Sequence, residues 1–140
     1  MKKYRRIALL IVFLLIVNFT NKGSLIPEVL KFEKKPVNFL TGNPGNNGPL
    51  LAVKIDDTKE AHPQIGITDA DVVYVEQVES GLTRLLALYS SKYPDEIGPV
   101  RSARISDIDL LAQYGRVAFA YSGSQAKMRP VLAEANLNNL

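Results

Sequence analysis

Three arginines carry the sharpest chemical signal in this sequence. Arg101 and Arg104 flank Ser102-Ala103 just ahead of a helical pattern. Free backbone N–H groups and the helix dipole at such a point favour an anion, and guanidinium forks match carboxylate or phosphate. Arg84 falls on the strand face it shares with Leu82, Leu86 and Leu88. A charge among apolar neighbours demands a partner. With Asp56, Glu76, Ser102 and Ser122, the three arginines form a candidate ligand-binding set for an anionic group. The competing reading is internal: the same arginines pair with Asp56, Glu76 or Asp109 and staple the sheet, while Asp107 and Asp109 compete with an incoming anion in the helix's first turn.

Other constellations point less far. Asp56, Asp57, Asp69 and Asp71 are oxygen donors for a hard cation, but their spacing does not match an EF-hand loop, and aspartate is a common turn residue. No metal site and no cofactor are expected. His62 is the single histidine. It could serve as a base for Ser102, Ser122 or Ser124, yet no Gly-x-Ser-x-Gly elbow is present and Pro63 assigns it to a turn. Tyr74, Tyr89, Tyr114 and Tyr121 sit at strand or helix positions and read as packing residues. With no cysteine in the chain, disulfides, thiol catalysis and the usual Cys/His zinc sites are excluded.

The elements that position these residues begin at Leu50. Leu50 to Asp56 is short, apolar and bounded by Pro49 and Asp56-Asp57, which fits a buried strand. Asp71 to Val78 alternates as a second strand, with Val73, Val75 and Gln77 on one face and Val72, Tyr74, Glu76 and Val78 on the other. A short glycine-containing connection then leads to a third strand, Leu82 to Ser90, implying an antiparallel hairpin. Ile108, Leu111 and Ala112 have helical spacing, with Ser106 as expected N-cap, Asp109 three residues on, and Gly115 as the stop. Arg116 to Tyr121 is a fourth strand, and Pro130 opens a last helix reaching about Ala135. The order β-β-β-α-β-α predicts an α/β or α+β fold, a mixed sheet with helices packed on it. Asn136 to Leu140 supplies no closing element, so this domain, 50–140, is expected to be C-terminally incomplete.

The chain has 140 residues and a nominal net charge of +3. That length fits one domain. Four positive residues (Lys2, Lys3, Arg5, Arg6) precede the first apolar run, leaving thirteen Lys and Arg against fourteen acids from residue 7 onward. Without a basic field on the body of the chain, nucleic-acid binding is disfavoured. The basic cluster and the eleven-residue run Ile7 to Val17 reproduce the n- and h-regions of an export signal. As a helix the run spans about 16 Å, short of a hydrocarbon core of about 30 Å. No Ala-x-Ala site follows it, which leaves an uncleaved, inside-positive anchor as the alternative. Residues 1–22 are therefore expected to be a signal peptide or N-terminal membrane anchor, making the membrane a partner and the cell membrane's outer face, or the exterior, the location. Residues 23–49, rich in Pro, Gly and Asn, read as a linker.

The stretches LAVKIDD (51–57), HPQIGITDADVVYVEQVESGLTRLLALY (62–89), IGPVRSAR (97–104), DIDLL (107–111) and FAYSGS (119–124) together resemble the YerB-like family of bacterial envelope proteins. The resemblance covers about Leu50 to the end, and its most specific element is Gly98-Pro99-Val100-Arg101-Ser102-Ala103-Arg104. It implies an exported or membrane-tethered domain behind a flexible linker, and it carries no catalytic residues. Two departures stand out: the lipidated cysteine of many such proteins is absent, and the family's domain runs beyond residue 140. Three functions follow as expectations. One is a binding module for an anionic envelope ligand or peptide carboxylate. Another is a hydrolase or transferase acting on cell-envelope polymers, with Asp56 or Glu76 as general acid or base. The third is a structural partner domain whose polar groups are satisfied internally.

Overall fold

A computed structural model describes residues 4, 7, 9–13 and 35–140. The chain divides into two units, Met1–Lys34 and Lys35–Leu140. In the first, the described residues are helical and exposed. Among the described residues no helix is long and apolar enough to cross a membrane. Most of the signal or anchor segment 1–22, and residues 23–34 of the expected linker, lie outside the described residues.

The second unit is an α+β domain built on one five-stranded mixed sheet, β1 (Leu51–Asp56), β2 (Val72–Gln77), β3 (Thr83–Tyr89), β4 (Val117–Ala120) and β5 (Leu137–Asn139), in the spatial order β2-β3-β1-β4-β5. β3 pairs antiparallel with β2 and β1, as the hairpin expectation requires, whereas β1, β4 and β5 run parallel. The helices are α1 (Ile105–Ala112) and α2 (Arg129–Glu134). The order is thus β-β-β-α-β-α with one strand more than expected. Asn136 to Leu140, read as lacking a closing element, instead contains β5, and Val117 and Phe119 of β4 lie in register with its Leu137 and Asn139. Three residues with two asparagines have little strand propensity of their own, and pairing with β4 supplies what propensity does not.

Each face of the sheet has its own core. Ala52, Leu86, Leu88, Val117 and Phe119 pack with Leu111 of α1 and Leu132 of α2. Val53, Ile55, Leu85, Ala87 and Tyr89 pack on the other face with Ile67, Ala70 and Ile97 from the connecting loops. Having both faces covered explains why β1 and β3 read as nearly continuous apolar runs, while the edge strand β2 alternates and leaves Val73 and Val75 exposed.

Ordered chain begins upstream of Leu50. Asn38 is buried; its amide donates to the Asn46 carbonyl at 2.8 Å and to Ser90 Oγ at 3.0 Å, and its Oδ1 accepts the Leu40 and Thr41 N–H groups. Asn47 does similar work, binding Phe39 N–H and the Val37 carbonyl. Asparagine-rich composition here encodes side-chain-closed turns.

Between β3 and α1, residues 99–103 are placed where β1 and β4 part. Pro99 accepts Asp56 N–H, Arg101 N–H donates to the Lys54 carbonyl, Ser122 N–H donates to the Arg101 carbonyl, and Ala103 N–H donates to the Gly123 carbonyl, all at 2.8–3.0 Å. The end of β1, the arginine loop and the loop after β4 therefore form one continuous surface.

Candidate functional site

Register and pleat fix a row of charge on the helix-covered face. Asp56 of β1, Arg84 of β3 and Glu76 of β2 lie opposite one another, and Lys54 lies two residues before Asp56 on the same face. Lys54 is 0% exposed. Its Nζ donates to Glu76 Oε1 at 2.6 Å and to Asp107 Oδ1 at 2.7 Å, with Asp107 also 0% exposed. The other Glu76 oxygen accepts the Ser106 hydroxyl at 2.5 Å. Asp107 Oδ2 accepts the Arg104 N–H at 2.6 Å, half of a capping box at the start of α1. The helix thus begins one residue after Arg104, not at Ser106 with Asp109 as expected. Asp107 takes the capping position because its carboxylate serves the backbone and Lys54 at once; Asp109 is exposed.

Two carboxylates share one lysine, so the group carries a net negative charge in a dry place. Burial pushes the Asp107 carboxyl up to about 6 despite the Lys54 ammonium and the Arg104 N–H. Burial also opposes the charge on Glu76, but hydrogen bonds from Lys54 and Ser106 outweigh it and hold Glu76 below the usual carboxylate range.

The three arginines divide between two partners. Arg84, buried, places Nη1 3.1 Å from Asp56 Oδ1 and also donates to the Thr83 carbonyl; its Nε meets no acceptor among the described residues. Arg101, whose side chain is 49% exposed, lies 3.3 Å from Asp56 Oδ2. Burial lifts the Asp56 carboxyl, but the Thr58 N–H and the charges of Arg84 and Arg101 prevail and lower it. Arg104 stands apart. Its Nε and Nη2 contact Glu79 Oε2 at 3.2 and 3.1 Å, and Nη1 reaches the Ala103 carbonyl at 3.3 Å.

The remaining candidates separate. Ser102 and Ser122 lie on the adjoining loops tied by the Ser122–Arg101 backbone bond. His62 Nε2 faces Asp57 at 3.2 Å, and Asp57 also accepts from Gln64 and from Thr83 Oγ1. Asp71 accepts the Ser90 and Ser91 N–H groups, and Asp69 pairs with Lys92. Among the described residues no three His, Cys, Asp or Glu side chains converge to hold a metal ion. Tyr74 and Tyr114 join hydroxyls at 2.5 Å, Tyr89 donates to the Gly66 carbonyl, and Tyr121 packs on Phe119.

Beside the buried charges lies a cavity of about 400 Å³, lined by Gln77, Glu79, Arg104, Ser106, Gln125 and Lys127, with Val78, Ile105 and Met128 supplying apolar wall. Gln125 donates to Glu79 Oε1 at 3.1 Å. Of the candidate ligand-binding set read from sequence, only Arg104 lines this space, and Glu76 reaches it through Ser106. Lys54, Glu79 and Lys127 were missed, and Ser106 and Asp107 were legible only as residues of the helix start. For Lys54 a signal existed: it occupies an inward position of the LAVKID strand, where a lysine requires buried acids.

Residues 40–140 match the model of a family described as "Protein of unknown function (DUF3048) N-terminal domain". The chain belongs to this family. It is similar to a protein described as putative lipoprotein YerB of Bacillus subtilis, at 37% identity over 106 residues, or 74% of this chain and 32% of the relative. The fold resembles the crystal structure of YerB from Bacillus subtilis, with a TM-score of 0.70 and 28% identity, covering 76% of this chain and 38% of that one. The chain thus spans about a third of the length of the curated relative it matches.

Proposed function

We propose that this DUF3048 domain stands outside the cytoplasmic membrane, held there through its N-terminal segment, and binds an anionic group of an envelope ligand or a peptide carboxylate at the Arg104 cavity. The location rests on the basic cluster ahead of the apolar run and on the lipoprotein description of its relative. The binding reading rests chiefly on one observation: Arg104 opens onto the cavity with donors to spare. A guanidinium has five N–H donors, and the protein contacts of Arg104 use Nε, Nη1 and Nη2. Lys127, on the same wall, is in no ion pair among the described residues. Arg84 and Arg101 take the internal role through Asp56, with Arg101 available at the rim of the loop.

Calorimetric titration of the full chain in detergent micelles with N-acetyl-L-leucine and with inorganic phosphate tests this reading. Binding of either probe, weakened about 10- to 100-fold by Arg104→Met, is the expected result, since a charge-assisted hydrogen bond contributes about 1.5–3 kcal/mol. Equal affinity in the variant, or heat from neither probe, overturns it.

One observation favours a second reading, that of a hydrolase or transferase: the Ser106 hydroxyl on the cavity wall is bonded to Glu76. Binding is preferred because Lys54 and Ser106 keep Glu76 ionised and make it a weak base. An envelope-polymer cleavage activity with a carboxylate limb in its pH profile, lost in Glu76→Gln, would reverse that preference.

A further inference from the structure

The cavity holds an acid as well as two bases, and this narrows the ligand. Glu79 stands at its rim, 59% exposed in its side chain, bound to Arg104 on one oxygen and to Gln125 on the other. A simple anion arriving at Arg104 meets the Glu79 carboxylate beside its landing point. Like charges so close oppose binding, and the anion must either displace Glu79 or pay the repulsion. A ligand that brings its own cation turns the same carboxylate into a partner. The remaining wall, Val78, Ile105 and Met128, is apolar and suits an aliphatic side chain, while Gln125 offers an amide group to a peptide unit.

We infer that the cavity recognises a zwitterionic amino-acid or short-peptide ligand, its carboxylate on Arg104 and Lys127, its ammonium on Glu79, and an aliphatic side chain against Val78, Ile105 and Met128. This deepens the binding reading and rests on it. Arg104 and Glu79 then act as a matched pair: the ion pair seen between them is the resting contact, and the ligand's two charges insert beside it. Selectivity comes from Glu79, which penalises any anion lacking a nearby cation.

Three peptides separate the possibilities: glycyl-L-leucine, its N-acetyl form lacking the ammonium, and its C-terminal amide lacking the carboxylate. Titrated into the full chain in detergent micelles, glycyl-L-leucine is expected to bind about tenfold or more tightly than either relative, the yield of one charge-assisted contact. Glu79→Gln is expected to bring glycyl-L-leucine down toward the N-acetyl peptide and to improve binding of the N-acetyl peptide. If the N-acetyl peptide binds the parent protein as well as glycyl-L-leucine does, the zwitterion inference falls while the anion reading stands. If the amide binds as well as the free acid, both fall. Tighter binding of inorganic phosphate than of any peptide marks a plain anion site and overturns the inference alone.

Discussion

Replacing Lys54 by methionine removes the cation that sits between two buried carboxylates, and its cost should depend on pH in a calculable way. In the parent protein Lys54 Nζ lies 2.6 and 2.7 Å from Glu76 and Asp107. Breaking such a buried pair costs about 3–5 kcal/mol. The variant has one escape, which is to bind a proton on a carboxyl. Protonating a carboxyl of ordinary pKa costs about 1.4 kcal/mol for each pH unit above that value, so about 5 kcal/mol at pH 8 and about 1 at pH 5. Lys54→Met should therefore lose about 3–5 kcal/mol at pH 8 and only about 1–2 at pH 5. For a domain of this size that is a fall in Tm of roughly 10–20 °C at pH 8 and under half as much at pH 5. Thermal melts of parent and variant followed by circular dichroism at both pH values measure it. The double variant Lys54→Met/Glu76→Gln, which halves the stranded charge, should recover part of the loss at pH 8. An equal loss at both pH values, or a loss under about 1 kcal/mol at pH 8, would refute the picture of a lysine compensating dry carboxylates.

The parent protein should itself titrate. The Asp107 pKa is raised to about 6 from 3.8, so between those values the native state keeps a proton the unfolded chain has released. Stability then falls as pH rises through that window and levels off above it. Glu76, Asp56 and Asp71 are lowered, and their contributions are lost as pH falls below the ordinary carboxylate range; urea midpoints across pH 3–8 should therefore peak at about pH 4–5. Arg84→Met should cost about 2–4 kcal/mol, because it strands the buried Asp56 with only Arg101. Arg101→Lys and Arg104→Lys should each cost under about 1 kcal/mol, since each pair has a well-exposed member; strong destabilisation by Arg104→Lys would assign Arg104 to structure. An alkaline phosphatase fused after Leu140, which needs an oxidising compartment, should be active in cells; an inactive fusion made in normal amounts would contradict the proposed location.

The parts of the fold legible in sequence were those where burial and period coincide. Val72 to Gln77 and Thr83 to Tyr89 alternate or run apolar as their places in the sheet require, and the hairpin between them follows from the short glycine-containing turn. Leu137–Asn139 was not legible, because its strand character comes from pairing with β4. The start of α1 was misplaced by two residues for a related reason: Asp107 was chosen over Asp109 by a lysine 53 positions away in sequence. Within the site, arginine types and their loop were readable, but their partners were not. Asp56 gathers Arg84 from the neighbouring strand and Arg101 from a loop, whereas Glu76, opposite Arg84 in the register, turns to Lys54 instead. Such choices depend on side-chain direction in three dimensions, which spacing does not encode. The cavity was invisible from sequence because its wall joins residues 77–79, 104–106, 125 and 127–128.

The central claim, that the Arg104 cavity takes a carboxylate, is tested most directly by backbone amide chemical-shift mapping of the full chain in detergent micelles during titration with N-acetyl-L-leucine. Saturable shifts concentrated at Gln77 to Glu79, Arg104 to Ser106 and Gln125 to Met128, and abolished by Arg104→Met with the rest of the spectrum unchanged, are the predicted result. Shifts centred on Asp56, Arg84 and Arg101, or shifts that persist undiminished in Arg104→Met, would contradict it.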